Sequence, residues 1–72
     1  MKNTSCIQAQ FGTHLKKLRL QSGLSQEAFA DKCGLDHTYV SGIERGVRNL
    51  TLEVISVLAK GLDMKISTLF EF

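Results

Sequence analysis

The sequence predicts an all-α fold, five short helices in one domain spanning residues 1–72. Three observations lead there. Apolar residues recur at helical spacing, as at Ile7, Phe11, Leu15 and Leu18, and not with the alternation of strands. Side chains that cap helix starts stand just before three apolar stripes, at Ser25, Asp36 and Thr51. Glycines stand where stripes stop, at Gly23, Gly34 and Gly46. No segment reads as a strand, and there is no proline, linker or repeat.

Each element has its own signals. Residues 1–4 are expected to fray. Ser5 and Gln8 have the spacing of a capping box, so the first helix runs from about Cys6 to Gln21. Gly12 weakens it by about 1 kcal/mol relative to Ala. Ser25 opens the second helix, Glu27 suits its dipole, and Gly34 ends it. Asp36 opens a third that reaches about Glu44 and closes at Gly46. Arg48, Asn49 and Leu50 form a loop, after which Thr51 caps a fourth helix with Glu53 in its first turn. Leu52, Ile55, Leu58, Ala59 and Leu62 are its one-sided stripe. Gly61 either ends this helix or lets another approach closely. Residues 66–72 form a short fifth helix or a turn of one.

Composition excludes several classes. A core of this size is marginal, so idealised helix packing or oligomerisation usually has to help. Two cysteines, Cys6 and Cys33, are too few for a disulfide scaffold, and His14 and His37 lack the spacing to complete a zinc site. Both thiols read as reduced and the compartment as cytoplasmic, with Cys33 as core filler. No apolar run approaches the roughly 18 residues of a membrane span, and the N-terminus has no signal pattern. No nucleophile–base set or carboxylate pair falls in a plausible cleft, so no catalytic residue, metal, cofactor or small-molecule ligand is expected. The net charge is +2 and the pI near 8.7. This mild excess is concentrated at Lys16, Lys17 and Arg19 and at Arg45 and Arg48, a distribution that fits an anionic partner.

Residues 25–45 carry the functional signal. Two short helices crossing at a glycine turn make the helix-turn-helix of DNA-binding proteins. The run Gly23-Leu24-Ser25-Gln26, Ala30, Gly34-Leu35, Tyr39-Val40-Ser41, Ile43-Glu44-Arg45-Gly46 and Arg48-Asn49 resembles the Xre/lambda-repressor-like helix-turn-helix family over nearly the whole chain. Within it, Thr38 through Gly46, then Arg48-Asn49 and Leu52, are most similar to the controller proteins of restriction-modification systems. Phage repressors and the antitoxins of toxin-antitoxin pairs share much of this pattern and remain alternatives.

The resemblance implies a compact five-helix domain with the third helix in the major groove. The segment at about residues 51–72 would form a two-fold dimer. The two recognition helices would then lie about 34 Å apart on a nearly palindromic operator. Expected partners are double-stranded DNA, a second copy of the chain and, as a further candidate, RNA polymerase. The expected function is a transcription regulator.

The DNA-binding set is Gln26, His37, Thr38, Tyr39, Ser41, Arg45, Arg48 and Asn49. Gln26 matches a family position that touches a phosphate, helped by free N–H groups at the starts of the second and third helices. His37, Thr38, Tyr39 and Ser41 are placed to reach DNA from the third helix, yet none is a strong base reader such as Arg, Asn or Gln. Thr38 suits a thymine methyl and Tyr39 a phosphate. Many controller proteins carry Arg where this chain has His37. Specificity is therefore expected to lean on DNA shape. Arg45 and Arg48 would grip phosphates or enter a narrow minor groove, and Asn49 would donate to a phosphate or cap the loop. Arg19 and Glu44 match a structural pair within the family. The apolar tail, Leu62, Met64, Ile66, Leu69 and Phe70 with Phe72 beside it, closes the core with some of its members and supplies the expected dimer interface with the excess, the alternative being a C-terminus folded back on its own domain.

Overall fold

The apolar stripes wind into four α-helices in a computed structural model that describes residues 6–72. They are α1 (Ile7–Gln21), α2 (Gln26–Cys33), α3 (His37–Glu44) and α4 (Leu52–Leu62). The expected fifth helix is not an α-helix. Ile66–Phe70 forms one 3₁₀ segment, with Thr68 N–H donating to the Lys65 carbonyl at 3.0 Å. Its start has no side-chain cap and it is five residues long, too short to sustain an α-helical ladder without help.

Capping accounts for most boundaries. Ser25 Oγ accepts from Ala28 N–H at 3.0 Å, Asp36 Oδ2 from Thr38 N–H at 2.9 Å, and Thr51 Oγ1 from Val54 N–H at 3.1 Å. Each is worth about 1 kcal/mol. Helix α1 differs: Cys6 holds its N-cap position without a side-chain bond to the helix backbone, its Sγ instead donating to Gln8 Oε1 at 4.0 Å. The expected capping box involves Ser5, which lies outside the described residues, as do residues 1–4. Gln8 turns away to donate through Nε2 to Asn49 Oδ1. At the corner between α2 and α3, Gly34 takes φ 71°, a left-handed conformation that needs no Cβ, and Leu35 N–H returns to the Ala30 carbonyl at 2.9 Å. Helix α4 ends at Asp63, which takes φ 59° although it is not glycine.

The core is Phe11, Leu15, Leu18, Phe29, Ala30, Val40, Ile43, Leu58, Ala59, Leu62 and Leu69. It joins all four helices and the 3₁₀ segment. Leu52, read as part of α4's buried stripe, is 85% exposed, and Ile7 at the start of α1 is 58% exposed. Burial rises along α4 toward Leu58 and Leu62, because its C-terminal half is the part pressed against α2.

Two glycines admit that close packing. A Cβ on Gly61 would collide with Cys33 Sγ and lie 3.0 Å from Phe29 Cε1, so Gly61 is a contact point inside α4 and does not end it. A Cβ on Gly12 would strike the Ile43 carbonyl and come within 2.6 Å of the Glu44 carbonyl oxygen. Gly12 is therefore where α1 meets the end of α3, a role its helix propensity alone does not suggest. Cys33 is half-buried with Sγ 3.8 Å from the Val57 carbonyl. Burial pushes its thiol above the ordinary value, against a smaller opposing pull from Lys32, so it packs as a neutral thiol.

One buried ion pair ties α1 to α3. Arg19 Nε donates to Glu44 Oε2 at 2.6 Å and Nη2 to Glu44 Oε1 at 3.1 Å, a two-bond fork. Arg19 Nη1 also donates to the Leu24 carbonyl at 2.8 Å, fixing the turn before α2. Both side chains are nearly inaccessible, at 7% and 3%.

Two stability measurements check this description. Glu44→Ala strands the Arg19 guanidinium and should lower unfolding free energy by about 3 kcal/mol in a denaturant titration. Gly12→Ala should also destabilise, by about 1–3 kcal/mol, because the obstacle is backbone carbonyl; a gain in stability, as helix propensity alone would give, would contradict the packing.

Candidate nucleic-acid interface

Helix α3 presents its first turn outward and its opposite side inward. Val40, Ile43 and Glu44 are buried, whereas His37 and Thr38 are exposed and Tyr39 and Ser41 half-buried. Arg45, Arg48 and Asn49 are exposed at and beyond the end of the same helix. The expected residues thus fall at two places on α3, its start and its end. Gln26 lies apart in sequence, at the first position of α2.

A hydrogen-bonded chain leads from the buried ion pair to the exposed end of α3. Glu44 Oε1 accepts from Gln26 Nε2 at 3.0 Å. Gln26 Oε1 then faces His37 Nε2 at 2.8 Å. A carboxylate can only accept, which fixes the Gln26 amide orientation, and an amide oxygen can only accept from His37. The hydrogen of neutral His37 is therefore on Nε2. Nδ1 is left with a free lone pair, 3.9 Å from Glu27 Oε2. Gln26 is accordingly engaged on both amide atoms within the protein, which the sequence did not reveal. Glu44 also gains a second role: its loss would loosen the start of α3 as well as the fold, whereas the sequence reading made it purely structural.

Backbone donors are more committed than expected. Ala28 N–H and Thr38 N–H, near the starts of α2 and α3, are taken by the Ser25 and Asp36 side chains. A phosphate there would have to use other donors of the first turn or displace a cap.

Beyond α3, Arg48 folds back onto the helix. Its guanidinium carbon lies 5.4 Å from the centroid of the Tyr39 ring, within cation–π range. Asn49 is held by the Gln8 contact, which crosses from α1 to the loop.

The apolar tail divides. Leu62 and Leu69 are enclosed in the protomer's own core, so their side chains are not open to a partner. Met64 is half-buried, and Ile66, Phe70 and Phe72 are 48%, 42% and 51% exposed. Part of the tail folds back: Phe70 packs on Phe11 with centroids 5.1 Å apart, and Phe72 on His14 at 5.6 Å. His14, read as a surface residue, is half-buried with Nε2 2.9 Å from the Thr68 carbonyl oxygen. Leu52, absent from the expected interface, is more exposed than any of these. The sequence signals for it were its place within the segment 51–72 and at the first position of a helix, where a stripe can run past the edge of the core.

Comparison with known proteins agrees with this geometry. Residues 15–69 match the HTH_3 family model, described as helix-turn-helix. The chain is 46% identical over 65 residues to the control protein C.MunI of a Mycoplasma species, covering 89% of this chain and 88% of that protein. The crystal structure of the restriction-modification controller protein C.AhdI from Aeromonas hydrophila superposes with TM-score 0.84 at 48% identity, over 86% of this chain and 94% of that one. The controller protein C.Esp1396I, solved as a tetramer with its natural 35 base-pair operator, gives TM-score 0.84 at 41% identity, over 92% and 87%.

The His37 tautomer is directly measurable. Nitrogen-15 NMR above the imidazole titration should show His37 Nε2 as the protonated nitrogen. Gln26→Ala should return the ring to a mixture; an Nδ1–H form in the wild type would break the hydrogen-bond chain as described.

Proposed function

The chain belongs to the HTH_3 helix-turn-helix family, and we propose that it is a transcription regulator of the restriction-modification controller type, binding a nearly palindromic operator as a homodimer. The observation that carries this is similarity to controller proteins over almost the full length of both chains, one of them solved on its operator. The reading extends to a protein that performs no catalysis and works in the cytoplasm, with residues 1–72 acting as one unit and the helix-turn-helix at about 25–45.

In this reading α3 enters the major groove with His37 and Thr38 leading. Thr38 offers a methyl to thymine, and His37 offers one ring nitrogen, Nδ1. Tyr39, Ser41, Arg45 and Arg48 contact the backbone, and Asn49 holds the loop that carries Arg48. Gln26 acts chiefly by orienting His37. With no Arg, Asn or Gln on α3, base contacts are weak, and DNA deformability supplies much of the discrimination. The dimer surface centres on Leu52, Ile66 and Phe70 with half-buried Met64 at its edge, exposed apolar side chains of α4 and the C-terminal segment that remain once Leu62 and Leu69 are buried. Pairing two copies would cover them and double the phosphate contacts.

The test uses a duplex from the region upstream of the protein's own coding sequence, titrated by fluorescence anisotropy. Affinity should fall by about a thousandfold between roughly 50 and 200 mM salt, as expected when several phosphates are neutralised. Thr38→Ala and Arg48→Ala should each weaken binding by about 1–3 kcal/mol without lowering the melting temperature, since both side chains are exposed. A flat salt response would remove DNA as the partner, and unchanged affinity in both variants would remove α3 from the groove.

A further inference from the structure

We infer that Gly42, which belongs to none of the contact sets above, is a positioning residue for DNA binding: its missing side chain is the seat in which Arg48 is held against Tyr39. The inference rests on the DNA-binding reading. Gly42 lies inside α3, where glycine is a poor helix former, and it is buried. What covers it is Arg48. A Cβ built on Gly42 would lie 3.0 Å from Arg48 Cγ, 3.2 Å from Nε and 3.6 Å from Cδ. The Arg48 stem occupies the space that any other residue at position 42 would fill. Tyr39 is three positions earlier on the same helix face, and the guanidinium carbon sits 5.4 Å from its ring centroid. Stem and head thus have separate docking points, the notch at Gly42 and the ring at Tyr39.

The loop is fastened on both sides of Arg48. Val47 N–H donates to the Gly42 carbonyl at 3.0 Å, and Asn49 is bound by Gln8. A free arginine on a loop would lose rotamer entropy on meeting a phosphate; one already laid along α3 loses less. Gly42 therefore raises DNA affinity without touching DNA. A Cβ there would make Arg48 give by a few tenths of an ångström and a longer side chain would displace it, because the nearest atoms in the way belong to an exposed, flexible side chain and not to the core.

The experiment measures thermal melting and binding to the upstream duplex for Gly42→Ala and Gly42→Gln, each alone and combined with Arg48→Ala. Melting temperatures should equal or exceed wild type, since Ala and Gln are better helix formers. Affinity should fall with side-chain size, reaching about tenfold for Gly42→Gln, the worth of one charge-assisted contact. The slope of log affinity against log salt should become shallower by about 0.9, one phosphate contact. In the Arg48→Ala background, neither substitution should weaken binding further. Unchanged affinity and slope for Gly42→Gln would overturn the inference. So would a loss that persists in full without Arg48, which would mean direct obstruction of the groove. Lower melting temperatures in both variants would make Gly42 a fold residue and also overturn it. Failure of the wild type to bind the duplex would instead overturn the DNA-binding reading, and this inference with it.

Discussion

The Arg19–Glu44 ion pair is the constraint on which the rest depends. Glu44 closes α3, and a carboxylate at a helix C-terminus faces the unfavourable end of the helix dipole. Buried there, it requires a cation and a full set of donors. Arg19 supplies two bonds from α1 and uses its remaining nitrogen on the Leu24 carbonyl, at the turn into α2. Gln26, at the first position of α2, supplies the next. Three elements are therefore tied to one carboxylate, and the crossing of α2 and α3 cannot change without breaking a hydrogen bond to a buried charge.

That arrangement reaches the surface. The Gln26 amide is oriented by Glu44 and in turn orients His37, so the exposed start of α3 inherits its geometry from the interior. At the other end of α3, Arg48 is ordered by a different device, a missing side chain at Gly42 and an aromatic face at Tyr39. Neither device adds a strong base-reading group to α3 itself. Both hold their groups in a defined place, which suits the proposed reading in which DNA shape supplies much of the discrimination.

Much of the fold was legible because local rules and tertiary demand agree. Ser25, Asp36 and Thr51 cap helices in this structure as side-chain chemistry says they should, and Gly34 turns the corner between α2 and α3. Reading failed where the deciding contact was distant in sequence. Gly12 reads as a weak helix residue, yet it marks where α1 touches the carbonyls of Ile43 and Glu44. Leu52 fits the periodicity of α4 perfectly well and still lies outside the core, since periodicity gives a face and not how far along the helix that face is covered. Leu62 and Leu69 looked available to a second copy because sequence alone cannot tell which apolar residues close the protomer and which remain outside.

The sequence by itself determined the all-helical class, the starts of α2, α3 and α4, the crossed pair at residues 25–45, and the residue types on α3, because caps, turns and stripes act within a few residues of one another. Only the tertiary structure decided that the last segment is a 3₁₀ turn and that Gln26 is bound on both sides. It alone decided that His37 Nε2 faces the Gln26 amide oxygen and that Arg48 lies in the space above Gly42. Each of these depends on groups brought together from separate helices, where hydrogen-bond direction and contact distance permit a single arrangement.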